Sequence, residues 1–348
     1  MQIVRQQAFA RAGLVGNPSD GYNGKTISLI VRNYCATVIL YEWEKIELLL
    51  SREDQSRFDS VDELVTDVDL HGYYGGIRLV KATIKRFVEF CRARQAAGDH
   101  HYALSDRRFS IRYESNIPRQ VGMAGSSAII VATLRALMEF YEITIPETVL
   151  PSLALSVEIE ELGIAAGLQD RVIQVYEGLV YMDFDRGKMH EEMGLTCGAY
   201  ERLPMSALPR LYMAFSTEQG EPTEVQHAPL RARYERGDED VRRAMIDFAN
   251  YAAEARDAIL AGDHATLASL IDQNFDRRKS ICSLDPGHVQ MIEAARSAGA
   301  SAKFAGSGGA IIGTYRDEAI FARLQQTLGS IRCCVFQPLI DPTTCETH

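Results

Sequence analysis

The chain has 348 residues, a formal net charge of −10, 46% hydrophobic and 24% charged residues. That length accommodates two domains of ordinary size with a full core, and the acidic balance argues against a nucleic-acid surface, which needs clustered positive charge. The seven cysteines are scattered, odd in number and free of CxxC spacing, so reduced thiols in a cytoplasmic protein are expected, not a disulfide framework or a zinc site.

No basic-then-apolar leader opens the sequence, and no apolar run reaches the ~18 residues of a membrane span. The best candidate, Ala128 to Phe140, is broken by Arg135. In so acidic a protein, an anionic substrate must be met by a local basic patch. Nothing in the sequence fixes an oligomeric state.

In chain order, Ile27–Leu40 and Glu47–Leu50 alternate as strands of an antiparallel sheet. Gly72–Arg94 carries Ile77, Val80, Ile84, Phe87 and Val88 at helical spacing. Phe109–Glu114 alternates as a strand, and Asn116-Ile117-Pro118 reads as a turn. A glycine- and serine-rich loop then runs into a helix with Ile129, Ala132, Ala136, Leu137 and Phe140 on its apolar face. A further helix spans about Pro151 to Leu162, closed by Gly163, and Leu179–Asp183 is a short strand. Periodicity fades near Lys188–Leu203, where a domain boundary is placed, giving 1–195 and 196–348. From Asp238 to Ala302 the pattern is mostly helical. Ala302–Phe304 and Ala310–Tyr315 read as two strands around a glycine-rich loop.

Three segments carry chemistry. The first is the loop of Pro118, Arg119, Gln120, Val121, Gly122, Met123, Ala124, Gly125, Ser126, Ser127 and Ala128. Glycines let backbone approach a ligand closely, and the first turn of a helix offers unpaired N–H groups and the positive end of its dipole, which suit phosphate. A serine hydroxyl there can also ligate Mg²⁺. A plain turn with a serine cap fits the same residues equally well. The loop is neither a Walker A motif nor a Rossmann fingerprint.

The second is Glu158–Asp170, EIEELGIAAGLQD. Glu158 shares a helical stripe with Ala154, Leu155 and Leu162. A carboxylate on an apolar stripe is costly without a partner, which a metal ion would supply. On that view Glu158→Gln leaves the fold intact. Asp170 follows Gly163 and Gly167 and reads as a loop residue, either functional or capping the helix that follows. The third is Ala302–Gly313, where Gly306, Gly308 and Gly309 lie between two apolar strands and form either a ligand-contacting loop or a plain hairpin.

Taken together and in order, these segments resemble the GHMP kinases, the superfamily of galactokinase, homoserine kinase and mevalonate kinase. RAGLVGNPSD (Arg11–Asp20) resembles its first motif, Val121–Ala128 its ATP loop and Phe304–Gly313 its third motif. Within it the chain is most similar to the plant-type glucuronokinases, through GNPSD, NGKTIS, YYGGIR, IPRQVGMAGSSA, ELGIAAGLQDRVIQVYEGLVYMDF, NFDRRKS and SAKFAGSGGA.

The resemblance implies an α+β GHMP kinase fold. A ribosomal-S5-domain-2-like N-terminal ATP-binding domain would be followed by a smaller α+β C-terminal domain, with the active site between them. It implies ATP and Mg²⁺ as cofactors, Ser127 and Glu158 as metal ligands, Asp170 as base with Arg11 beside it, and Asn17, Asp20, Gly306, Ser307 and Gly308 on the substrate. Its reaction would be phosphorylation of the anomeric hydroxyl of D-glucuronate, a small-molecule sugar acid, with no nucleic-acid or membrane partner. Asn17 departs from the galactokinase pattern, where a glutamate reaches the sugar C6 hydroxyl. A C6 carboxylate facing a glutamate would be repelled by ~4 kcal/mol at ~4 Å in an effective dielectric of ~20, and a neutral Asn17 removes that penalty. A basic partner for the carboxylate is sought in Arg119 or the run Arg277-Arg278-Lys279. The alternatives are a galactose- or heptose-type kinase, a non-catalytic sugar sensor, or a decarboxylase of the same superfamily.

Overall fold

The computed structural model describes residues 2–49, 75–217 and 230–341. Two strands, β1 (Ile3–Val15) and β2 (Lys25–Glu42), form its spine. They pair antiparallel from Ile3↔Tyr41 to Val15↔Ile27, with irregularities at Phe9/Ala10 and Gly13/Val15. Such bulges bend a strand and re-aim its side chains, and Arg11 lies between the two.

The other edge of β2 is shared. Its C-terminal half pairs with β4 (Phe109–Ser115), which carries the short β3 (Glu47–Leu48) on its far side. Its N-terminal half pairs with β5 (Leu179–Asp183), which is followed outward by β8 (Glu201–Arg202). A separate hairpin of β6 (His190–Glu192) and β7 (Leu195–Cys197) occupies the segment where periodicity fades. The first sheet thus ends with β8, past the expected division at 195/196.

Helix α1 (Gly76–Ala96) covers α2 (Gly125–Tyr141), and α2 packs on β1 and β2. The proposed start of α1 at Gly72, like Leu50 at the end of a predicted strand, lies outside the described residues. Two short helices follow, α3 (Leu150–Ser156) and α4 (Gln169–Tyr176). The segment predicted as one helix to Leu162 instead passes into a π-helical turn at Val157–Glu161. A π turn re-registers the side chains after it and recurs at functional sites.

The second sheet runs β10 (Lys303–Phe304), β11 (Ala310–Thr314), β9 (Leu211–Ser216), β12 (Cys333–Phe336), all antiparallel. Before β10 come α5 (Glu239–Ala261), α6 (His264–Ile281) and α7 (Pro286–Ser297); α8 (Glu318–Gly329) precedes β12. Asp238, Asp263, Asp285 and Asp317 each accept a backbone N–H at the start of one of these four helices, a cap worth ~1 kcal/mol. Phe275, Met291, Ile292, Phe304, Leu324 and Leu328 build the second core.

No helix among the described residues is long and apolar enough to cross a membrane. The six cysteines in the described segments are free.

Candidate active site

The three chemistry-bearing segments converge on Arg11. Its Nε and Nη2 donate to the two carboxylate oxygens of Asp170 at 2.6 and 2.9 Å. Its Nη1 donates to Gly122 O at 2.5 Å and Ala305 O at 3.3 Å. One buried guanidinium therefore joins the first motif, both glycine loops and the acid at the start of α4. The bidentate geometry is the strong form of this pairing. Asp170 belongs to the first turn of α4, not to a loop, and Leu168, at the N-cap position, makes no side-chain cap bond.

The loop before α2 holds left-handed backbone at Gln120, Gly122 and Ala124, with φ of 59°, 70° and 62°. Positive φ at a glutamine and an alanine is strained, and such strain concentrates at functional sites. Gln174 of α4 secures the loop by donating to Ala124 O at 2.9 Å. Ala124, at the N-cap of α2, offers no side-chain cap, and the first turn of such a helix presents N–H groups that suit phosphate.

The two glycine loops meet backbone to backbone. A Cβ on Gly306 would lie 2.2 Å from Gly122 O, and one on Gly122 would lie 2.9 Å from both Gly308 O and Ser307 Oγ. Any larger residue at these points would force the loops apart.

Four successive carbonyls of the third loop each accept from a cation. Lys303 Nζ reaches Phe304 O at 2.7 Å, and Arg11 reaches Ala305 O. Arg278 reaches Gly306 O at 2.7 Å and Ser307 O at 2.9 Å. Of the predicted basic run, only Arg278 faces this site. Arg277 pairs with Asp247 at 2.8 Å and Lys279 with Glu293 at 3.3 Å. Arg119 lies exposed on the first loop.

Glu158 faces the core as its stripe implies, at 1% exposure. Its partner is Arg171, equally buried, in a salt bridge through Oε2. Spacing along one helix could not reveal this, because Arg171 comes from α4. Burial therefore does not by itself call for a metal. Oε1 accepts from Ser126 Oγ at 3.3 Å. Ser127 is turned away: its Oγ is buried and donates to Ala124 O at 3.2 Å. Consecutive helical positions point ~100° apart, so only one of the two hydroxyls meets Glu158. A carboxylate and a hydroxyl are hard oxygen donors of the kind Mg²⁺ takes alongside substrate phosphates, and Ser126 is the hydroxyl that meets Glu158 here.

Asp20 lies against the backbone of Gly167, where an added Cβ would be 2.3 Å from its Oδ2. Desolvation, then the charge of Asp170, pushes its pKa up to about 7. Asn17 is buried, its Oδ1 accepting from Lys303 Nζ at 2.6 Å and its carbonyl accepting from Asn274 at 3.0 Å. Lys303 itself, 1% exposed, also donates to Gly13 O at 2.6 Å. Burial, with Arg278 and Arg11 nearby, drives the Lys303 pKa well down. Three oxygen acceptors oppose that shift, and three donors are available only from the ammonium form. Neither Lys303 nor Arg171 was singled out from the sequence. Both are buried cations whose partners come from distant segments, and only three-dimensional pairing identifies them.

Comparison with known proteins adds the following. The profile of the GHMP kinases N terminal domain matches residues 78–178. Glucuronokinase 1 of Arabidopsis thaliana is 40% identical over 315 residues, covering 89% of this chain and 84% of that protein. D-glycero-alpha-D-manno-heptose 7-phosphate kinase of Campylobacter jejuni is 24% identical, covering 82% and 79%. Among solved structures, Lactococcus lactis galactokinase complexed with galactose superposes with a TM-score of 0.75 at 16% identity, covering 97% of this chain and 94% of that one. The fold is thus the GHMP kinase fold expected from the sequence.

Proposed function

The chain belongs to the GHMP kinases, and on that premise we propose that it transfers the γ-phosphoryl group of ATP to the anomeric hydroxyl of D-glucuronate, giving D-glucuronate 1-phosphate and ADP. Phosphotransfer from ATP to a small-molecule hydroxyl follows from the family. The choice of sugar rests on the likeness to plant glucuronokinases and on Asn17, which presents a neutral amide where a carboxylate would repel a uronic acid.

The observation that carries the reading is Asp170 held bidentately by Arg11 between the two glycine loops. Asp170 accepts the proton of the attacking hydroxyl, or orients that hydroxyl, as its oxygen forms the new bond to phosphorus and the bridging oxygen leaves with ADP. Phosphoryl transfer depends chiefly on such positioning and on charge stabilisation. The residues 118–128 cradle the phosphates with the first turn of α2. Gly306, Ser307 and Gly308 line the acceptor side with Asn17 and Asp20. When bound, Mg²⁺ neutralises phosphate charge, and Glu158 with Ser126 would hold it. We assign the division of labour between an ATP-binding N-terminal part and a C-terminal part to the two sheets, and the setting to the cytoplasm.

The test is an ADP-release assay over glucuronate, galacturonate, glucose and galactose, with ³¹P NMR of the product. Phosphate on C1 of glucuronate is expected. Phosphate on another hydroxyl, or turnover of every sugar except glucuronate, would refute the assignment.

A further inference from the structure

The charges around the cleft do not balance. Arg11 is matched by Asp170 and Arg171 by Glu158. That leaves two buried cations, Arg278 and Lys303, and among the described residues Asp20 is the acid whose charge reaches Arg278. Among the described residues neither cation has a carboxylate within salt-bridge distance; their hydrogen bonds run to backbone carbonyls, to Asn17 and, from Arg278, to the Cys282 sulfur. A buried cation compensated only by dipoles is costly, and the cost falls when an anion arrives.

Lys303 also fixes the amide of Asn17. An ammonium can only donate, so the atom 2.6 Å from Nζ must be Oδ1 and not Nδ2. Nδ2 is thereby turned away from Lys303, and it donates to no group among the described residues. Gly13 packs against the same oxygen, since a Cβ there would lie 3.1 Å from Asn17 Oδ1 and 2.7 Å from Gln169 Nε2. The amide is locked with its donor edge free and polarised by the cation behind it.

We infer that Lys303 is a positioning residue for substrate specificity: through Asn17 it makes the cleft select an anionic sugar, whose carboxylate supplies a counter-charge that no described residue gives these cations. This rests on the uronic-acid reading above, and it adds the residue that enforces it. Arg278, pinned to the third loop, contributes the second unmatched charge.

The experiment compares kcat and KM for each acid and its neutral counterpart in wild type, Lys303→Met, Lys303→Arg and Asn17→Asp, with KM for ATP and Tm alongside. Lys303→Met should lower the acid-to-neutral ratio of kcat/KM roughly 10- to 100-fold, mostly through KM for the acid, as loss of one nearby charge predicts. Lys303→Arg should hold the ratio within a few-fold. Asn17→Asp gives Lys303 its own carboxylate, so it should keep or raise Tm while collapsing the ratio. It decides the matter if Lys303→Met does not fold. A folded Lys303→Met or Asn17→Asp enzyme with the wild-type ratio overturns the inference, as does a change that falls equally on acid and neutral sugars. Wild type that prefers galacturonate over glucuronate would overturn the substrate assignment alone, the ratio then being read on that pair. Wild type that prefers neutral sugars overturns both.

Discussion

Glu158→Gln keeps the shape of the side chain and removes its charge. Arg171 would then be a guanidinium at 5% side-chain exposure without its own counter-ion. The nearest remaining carboxylate, Asp170, is 3.8 Å away and already held by Arg11. Removing one partner of a buried pair costs about 3–5 kcal/mol. Asp170 and the Gly167 carbonyl, 2.8 Å from Nη1, soften the loss, so the lower end applies, ~3 kcal/mol. At ~2–4 °C per kcal/mol for a domain-sized unit, the melting midpoint should fall by roughly 6–12 °C. The assay is thermal unfolding of Glu158→Gln, Arg171→Met and the double variant, followed by turnover against Mg²⁺ on each folded protein. The double variant should melt above Glu158→Gln, because no orphaned charge remains. A Glu158→Gln protein melting within ~1 °C of wild type, or a double variant no more stable than it, would refute the ion-pair account. Loss of Mg²⁺ response in a folded Glu158→Gln sample would separately support the metal role.

Asp170→Asn should cut kcat severely and leave KM for ATP nearly unchanged, since the ATP loop is untouched; a stable, fully active variant would sink the base assignment. Asp20→Asn should raise Tm more at pH 8 than at pH 4. The folded-state pKa of Asp20, about 7, lies above its ordinary value of 3.8, so the folded protein holds a proton that the unfolded chain releases, and stability falls as pH rises across that window. Equal gains at both pH values would contradict this. Gly306→Ala should raise KM for both substrates and lower Tm, because its methyl would meet Gly122 O at 2.2 Å; unchanged KM values would mean that the loops part without consequence.

Much of this was legible in the sequence because it is periodic or punctuated. The alternation over Ile27–Leu40, the helical stripe after Gly125 and the mostly helical pattern from Asp238 to Ala302 rest on local spacing, and the structure has them in place. β1 escaped notice, since RQQAFARAGLV mixes charge with small residues, and its pairing along almost all of β2 is a long-range fact. The π turn at Val157–Glu161 was hidden for the same reason: its hydrogen bonds, not its composition, distinguish it from an α-helix. The core-facing side of Glu158 could be read from its stripe, whereas Arg171 as its partner, the contact of Ser126 with its Oε1, and Lys303 beneath Asn17 could not. Each of those depends on which faces of separate elements meet.

The reach of Arg11 has a consequence for biosynthesis. Its contact with Asp170 spans 159 residues and its contact with Ala305 spans 294. At ~5–20 residues per second, a ribosome needs roughly 15–60 s to deliver the second partner after the first strand has emerged. The N-terminal sheet can close around Arg11 and Asp170 well before the third loop exists. A chain interrupted after β8 would retain the acid and its guanidinium but lack Ala305 and the cations behind it. Such a fragment should be inert alone and regain turnover only when the remaining segment is supplied in trans.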